Sequence, residues 1–263
     1  MSQIAQKPQC LTPIPAEVWQ RLRGVLDPEL DESILELGFV ERLQFEDGHL
    51  KVELWLPTKW CSPNFTYMMA EDIRLALLNV ERVRHVSIFL KDHFAAERIE
   101  AAVNAGKSFQ DAFPEEALGD LHELRLYFLQ KGFLKRQERL MRSLLQAGLS
   151  FMEIAVLAIG DLEIDGDVCR IRREDGRLSA IGLAESAGRY LKRREQLGLD
   201  CSQTAALVTD VSGNSIPADR LRQHYIRART VRVAQDANGS MCCALLDARK
   251  RGLSECLQMQ KER

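Results

Sequence analysis

Two short segments in the first sixty residues alternate between apolar and polar positions. Phe39, Leu43 and Phe45 share one face of the first, and Leu50, Val52, Leu54 and Leu56 share one face of the second. Asp47-Gly48 lies between them and suits the positive φ angles of a type I′ turn, so the pattern predicts a β-hairpin. Each strand offers a single apolar face, so helices are expected to cover one side of the sheet. A helix is predicted before the hairpin, over Pro15 to Leu26, because Val18, Leu22 and Val25 recur at helical spacing and Pro15 is tolerated in a first turn. A second is predicted after it, opened by Ser62-Pro63 and carried by Phe65, Met68, Met69, Ile73, Leu77 and Val80. Val83 to Leu90 then completes an α-β-β-α-β order.

The pattern changes near NAGKSFQDAFP, at 104–114. Beyond it Leu121, Leu124, Phe128, Leu129, Leu134, Leu140, Leu144 and Leu145 keep helical spacing, with Gly132 and Gly148 as breaks. A strand is expected at about 168–173, a turn at Asp175-Gly176, and helices at about 183–197, 217–231 and 241–250. The expected fold class is an α/β (α+β) N-terminal domain with a small mixed sheet, followed by a mainly α domain with a small β-hairpin. The expected divisions are a flexible N-terminus at 1–13, the α/β domain at 14–105 and the helical domain at 111–263.

Composition narrows the classes. A 46% hydrophobic and 28% charged chain is an ordinary globular sequence, and a net charge of −2 argues against a dedicated nucleic-acid or membrane-surface binder. Residues 1–110 are net acidic and 161–263 net basic. No apolar run approaches the roughly 18–20 residues of a membrane span, and MSQIAQKPQC lacks a signal pattern. Seven irregularly spaced cysteines form neither a disulfide framework nor a CxxC…CxxC zinc site, so a reducing cytoplasm is expected.

Candidate chemistry concentrates in LPTKWCSPNF, Leu56 to Phe65, where a strand ends and a helix begins. A thiol just ahead of a helix N-terminus meets unpaired N–H groups and the positive end of the dipole, both of which favour thiolate. Cys61 has that position, with Lys59 and Trp60 beside it; Cys10 lies in the loose N-terminus, and Cys169, Cys201, Cys242, Cys243 and Cys256 read as small hydrophobes within strands and helices. No base is recognisable, since His49, His85, His93, His122 and His224 make no motif with Cys61. One thiol is also too few ligands for a metal within one chain. Five acids in 27–36 (Asp27, Glu29, Asp31, Glu32, Glu36) read either as a capping-rich turn or as an acidic rim beside a metal or thiol.

DPEL at 27–30, LELGFV at 35–40, the hairpin, the loop cysteine opening a helix and the closing VRHVSIFL strand together resemble the SufT/PaaD-like iron–sulfur cluster assembly family, over about residues 14–92. The resemblance implies a maturation factor rather than an ordinary enzyme, handling iron or a transient iron–sulfur cluster. It places the family's loop cysteine on Cys61, its acidic motif on Asp27 and Glu29, and its loop threonine on Thr58. The family has Pro directly after the cysteine, whereas here Ser62 intervenes. WCSPNFTYMMAEDI and KDHFAAERI also look like a subgroup found with soluble diiron monooxygenases, which implies an oxygenase component or its iron–sulfur reductase as the client metalloprotein. Residues 114–255 resemble, diffusely, the catalytic domain of tyrosine recombinases. Its first catalytic Arg would fall at Ser150 and its His-x-x-Arg near Asn238 and Met241, and no Tyr follows Tyr225, so strand cutting does not carry over. A DNA-binding regulator using Arg189, Lys192, Arg193, Arg194, Arg220, Arg222, Arg227, Arg229 and Arg232 is the alternative, with nucleic acid the disfavoured partner. A client-recognition or homo-oligomerisation role is the expectation for the second half, and a thiol-dependent enzyme ranks last.

Overall fold

The computed structural model describes residues 7–115, 121–173 and 175–261, apart from the side chains of 183 and 253–261. By contacts the chain divides into two compact units, Met1–Glu123 with Asp236–Arg263, and Leu124–Gln235. The sequence pattern assigned all of 111–263 to one helical domain; the contacts instead return the last segment to the unit that begins the chain.

In the first unit a four-stranded mixed sheet has the order β1-β4-β5-β6. Strands β4 (Val40–Glu46) and β5 (His49–Leu54) form the expected hairpin, with Asp47 at φ 47° and Gly48 at φ 77°, both in the left-handed region that the two-residue turn requires. Parallel to β5 runs β6 (His85–Leu90), and the pairs Leu50↔Val86, Val52↔Ile88 and Leu54↔Leu90 put six apolar side chains on one buried face. On the hairpin's polar side, Arg42 and Glu53 form an ion pair at 3.6 Å. β1 (Gln9–Cys10) pairs parallel to β4 and Thr12 Oγ1 accepts from the Phe45 N–H, so 9–12 is tied to the sheet rather than loose. Residues 1–6 of the expected flexible terminus lie outside the described residues.

Helix α1 (Ala16–Arg23) buries Val18 and Leu22, with Pro15 at its N-cap rather than inside its first turn. The acidic stretch that follows forms a small antiparallel ladder of β2 (Leu26–Asp27) and β3 (Glu32–Ser33). Helix α2 (Pro63–Leu78) lays Met68, Met69, Ile73 and Leu77 on the core, so both methionines are packing residues. α3 (Ala96–Asn104) packs on α2 and β6, and α4 (Phe109–Ala112) is one turn closed by a Ser108–Asp111 capping box.

The second unit holds α5 (His122–Gln146), which runs unbroken through the buried Gly132 and stops at Gly148, φ 87°. After α6 (Phe151–Val156), a short 3-10 turn leads into β7 (Leu162–Asp165), β8 (Val168–Arg172) and β9 (Leu178–Leu183), a three-stranded sheet in which β8 and β9 form the expected hairpin and β7 is added. β7 escaped notice because its four residues are too few to show a period. α7 (Ala184–Gln196) follows, and α8 (Ala218–Lys261), whose residues from Asp236 on belong to the first unit, is one 44-residue helix where two were expected. Gly239 does not interrupt it, since a helical glycine costs only about 1 kcal/mol against Ala.

The second core contains a buried polar network. Arg194 is 1% exposed and donates to Ala206 O at 3.0 Å, Leu207 O at 3.2 Å, Asp200 O at 2.6 Å and the Tyr190 hydroxyl at 3.1 Å. Tyr190 donates to Leu207 O, and Gln137 Nε2 donates to Thr209 O. Removing the guanidinium takes these donors from Ala206 O and Asp200 O, while Leu207 O keeps Tyr190, and each orphaned carbonyl costs about 1–3 kcal/mol. Arg194→Met is expected to destabilise the second unit by about 3 kcal/mol or more, read as faster hydrogen exchange across 199–209. Unchanged exchange there would show that the loop is held by its own turns.

Candidate functional site

Cys61 lies one residue ahead of the Ser62 N-cap of α2, half-buried, with its flank packed against the first core. The Ser62 side chain makes no capping hydrogen bond; the Ser62 carbonyl instead accepts from the Thr66 N–H and hydroxyl, both at 3.0 Å. Thr58 closes the loop from the other side. Its carbonyl accepts from the Cys61 N–H at 3.4 Å, its hydroxyl accepts from the Trp60 N–H at 3.2 Å, and the same hydroxyl lies 3.5 Å from Cys61 Sγ. Thr58 and Cys61, two of the expected site residues, are thus brought into contact.

His93 completes the support, and nothing in its local sequence announced this. Its Nδ1 accepts from the Ala95 N–H at 3.2 Å, which leaves the neutral ring's proton on Nε2, 2.9 Å from the Cys61 carbonyl oxygen and 3.4 Å from Thr66 Oγ1. The imidazole therefore holds the backbone of Cys61 and does not face Sγ as a base. Burial holds the His93 pKa below its ordinary 6.5; the hydrogen bond to Cys61 opposes the shift, the Arg249 guanidinium adds to it and Asp92 opposes it.

Asp27 is 7% exposed and its Oδ1 accepts from the Leu30 N–H at 2.8 Å, so this acid caps its own turn, while Glu29 is half-buried. Both reach the site's electrostatics through a residue that the sequence pattern dismissed. Cys242 on α8 is packed against the same core as Cys61, and its thiol is pushed up to about 11, first by burial and then by the charges of Asp27, Cys61, Glu29 and Cys243. The helix is fixed there by Leu246, 2% exposed in the core, by Arg249 donating to Leu56 O and Asp92 O at 2.7 Å each, and by Lys250 donating to Gly38 O at 3.2 Å. Lys250 also pairs with Glu41 at 3.1 Å, and Arg249 pairs with the Asp92 carboxylate. No sequence period could have linked positions 249 and 56.

Outside the loop, the Trp60 (67% exposed) and Phe94 (53%) rings meet at a tilt of 37° with centroids 5.3 Å apart, and Lys59 Nζ lies 5.0 Å from the Trp60 ring. Among the described residues no three His, Cys, Asp or Glu side chains are grouped to hold a metal ion, and the six described cysteines are free thiols. No helix among the described residues is long and apolar enough to cross a membrane.

Residues 15–88 match the family model described as iron–sulfur cluster assembly protein. The match covers α1, strands β2 to β5, the Cys61 loop, α2 and the first part of β6, and it supports a general role in iron–sulfur assembly for this domain. No curated protein and no solved structure matches the chain. In the second unit, the position of the recombinases' first Arg is a helix cap: Ser150 Oγ accepts from the Glu153 N–H, and Glu153 Oε2 accepts from the Ser150 N–H. Of the nine basic residues of that alternative, Arg194 is interior, Arg232 pairs with the buried Glu138 at 2.5 Å and Arg189 pairs with Glu185 at 2.5 Å.

The His93 shift gives a pH dependence with a definite sign. The unfolded chain takes up the proton near 6.5 and the folded one only at lower pH. His93 therefore contributes stability above 6.5 that is lost as pH falls through its folded value. His93→Gln is expected to flatten part of the stability loss as pH falls below 6.5 in urea titrations. His224, also held low chiefly by burial, is present in both proteins and cancels. An identical slope in the variant would remove His93 from the titration.

Proposed function

We propose that the chain is a cytoplasmic accessory factor for iron–sulfur or metalloprotein maturation, in which Cys61 ligates iron of a cluster in transit to a client protein. The observation that carries this reading is the half-buried Cys61 thiol in a loop braced by Thr58 and His93, within the stretch that matches the assembly family. A thiolate beside oxygen donors is a chemically suitable seat for iron. Because the chain supplies few donors, the cargo keeps ligands from its donor or recipient, and transfer is an exchange of Cys61 for a client cysteine. Thr58 steadies the sulfur, and Asp27 and Glu29 set the local charge. The paired Trp60 and Phe94 rings offer the client an aromatic landing surface beside the thiol, the residue type that dominates interface energetics. A diiron monooxygenase component, or its iron–sulfur reductase, is the client to test first.

The test is anaerobic capture of the full chain from its own cells, with iron and acid-labile sulfide measured on the complex. Wild type is expected to retain a metalloprotein with iron, and Cys61→Ala to lose the iron while keeping the protein. Trp60→Ala is expected to weaken client retention by about 10-fold, as for a central aromatic anchor. Equal client maturation by Cys61→Ala and wild type would defeat the proposal.

A further inference from the structure

We infer that Arg249, on α8, is a positioning residue of the Cys61 loop: its guanidinium fixes the spacing of the loop's two supporting legs and so the place of the thiol. The inference rests on the reading of Cys61 as an iron ligand and adds a residue outside the stretch that the assembly family covers. One leg leaves β5 and runs through Leu56 to Cys61; the other leaves β6 and brings in Asp92, His93 and Phe94. The β5–β6 ladder ends where the Lys91 N–H donates to Leu54 O at 2.8 Å. Beyond that rung the legs are joined in other ways. Near the thiol, the Phe94 N–H donates to Lys59 O at 3.1 Å and His93 Nε2 lies 2.9 Å from Cys61 O. At the base of the legs, Arg249 donates through Nη1 to Leu56 O and through Nη2 to Asp92 O, at 2.7 Å each.

The chemistry of the fork makes it a spacer. A guanidinium is planar, so two carbonyls bonded to its two Nη atoms are held at one separation, which a lysine ammonium cannot impose. The Arg249 side chain is only 16% exposed, so water has little access to take over its bonds. Nη2 also pairs with the Asp92 carboxylate, at a residue whose φ of 49° turns the chain toward the loop. A non-glycine residue in that region persists where its surroundings hold it, and Arg249 grips both its carbonyl and its carboxylate. His93 follows directly and meets the Cys61 carbonyl. Leu246, 2% exposed in the first core, fixes the helix that carries the fork. Lys250, the next residue on that helix, serves Gly38 O and Glu41 instead, so it is a built-in control.

Hydrogen exchange and Cys61 alkylation at one pH, read by mass spectrometry on the reduced full-length protein, test this. Arg249→Met is expected to speed exchange across 58–61 and 92–95, and alkylation of the half-buried Cys61, by about 10-fold, as for loss of one charged hydrogen bond. Arg249→Lys keeps the charge without the fork and is expected to recover only part of that change. Lys250→Met removes a cation and a carbonyl donor from the same helix and is expected to leave both rates at wild-type values. Exchange across β4 and β5 reports whether each variant is folded; should Arg249→Met lose that protection, Arg249→Lys carries the comparison. Wild-type rates in the Arg249 variants, or equal effects of Arg249→Met and Lys250→Met, would overturn the positioning role. In the anaerobic capture, Arg249→Met is expected to retain less iron than wild type on the same amount of client. Iron absent from wild type would overturn the Cys61 reading, while the exchange rates still decide the role of Arg249.

Discussion

Three backbone carbonyls in the first unit, those of Gly38, Leu56 and Asp92, take their hydrogen bonds from side chains near the other end of the chain. Each lies where a strand begins or ends, so its partner cannot come from the sheet ladder, and a carbonyl left unpaired away from water costs about 1–3 kcal/mol. Arg249 and Lys250 supply the donors. Trp55, 3% exposed, lies beneath them, with Lys91 Nζ 3.6 Å and Lys250 Nζ 5.7 Å from its ring centre, and Glu41 accepts from both lysines. The cations are thus balanced by a carboxylate, a π face and oriented carbonyls. The α/β unit is therefore completed by the last helix.

That constraint shapes the candidate site. A loop that presents a thiol must hold its backbone still while leaving the sulfur reachable. Thr58, Thr66 and His93 accomplish the first by hydrogen bonds to the main chain on both sides of Cys61. Asp92, at φ 49°, turns the chain so that His93 enters the loop from β6, and the same residue takes the Arg249 guanidinium. One helix therefore anchors the turn that orients the histidine that holds the cysteine.

Much of the site was legible before any coordinates. The Asp47-Gly48 turn, the one-sided strands and Ser62-Pro63 at the start of α2 each have a local cause in backbone stereochemistry or pleat period, and each recurs in the structure. Cys61 and Thr58 are three residues apart and meet within one turn. His93 was harder: its role depends on which atom faces the Cys61 carbonyl, and a single histidine after a strand carries no periodic signal. Cys242, read as a small packed residue within a helix, is one, half-buried against the first core. What the pattern lacked was the identity of the surface it packs against.

The amino-acid sequence by itself determined the α-β-β-α-β order, the turn that sets the hairpin register and the position of the loop thiol, because these depend on contacts between near neighbours. Tertiary structure alone decided that residues from Asp236 onward join the first unit, that Arg194 belongs to an interior network rather than a basic face, and that Cys242 packs on the same core as Cys61. Those outcomes turn on where buried carbonyls and charges find partners. Such partners are chosen across tens to hundreds of residues, by burial and geometry that no local pattern of side chains encodes.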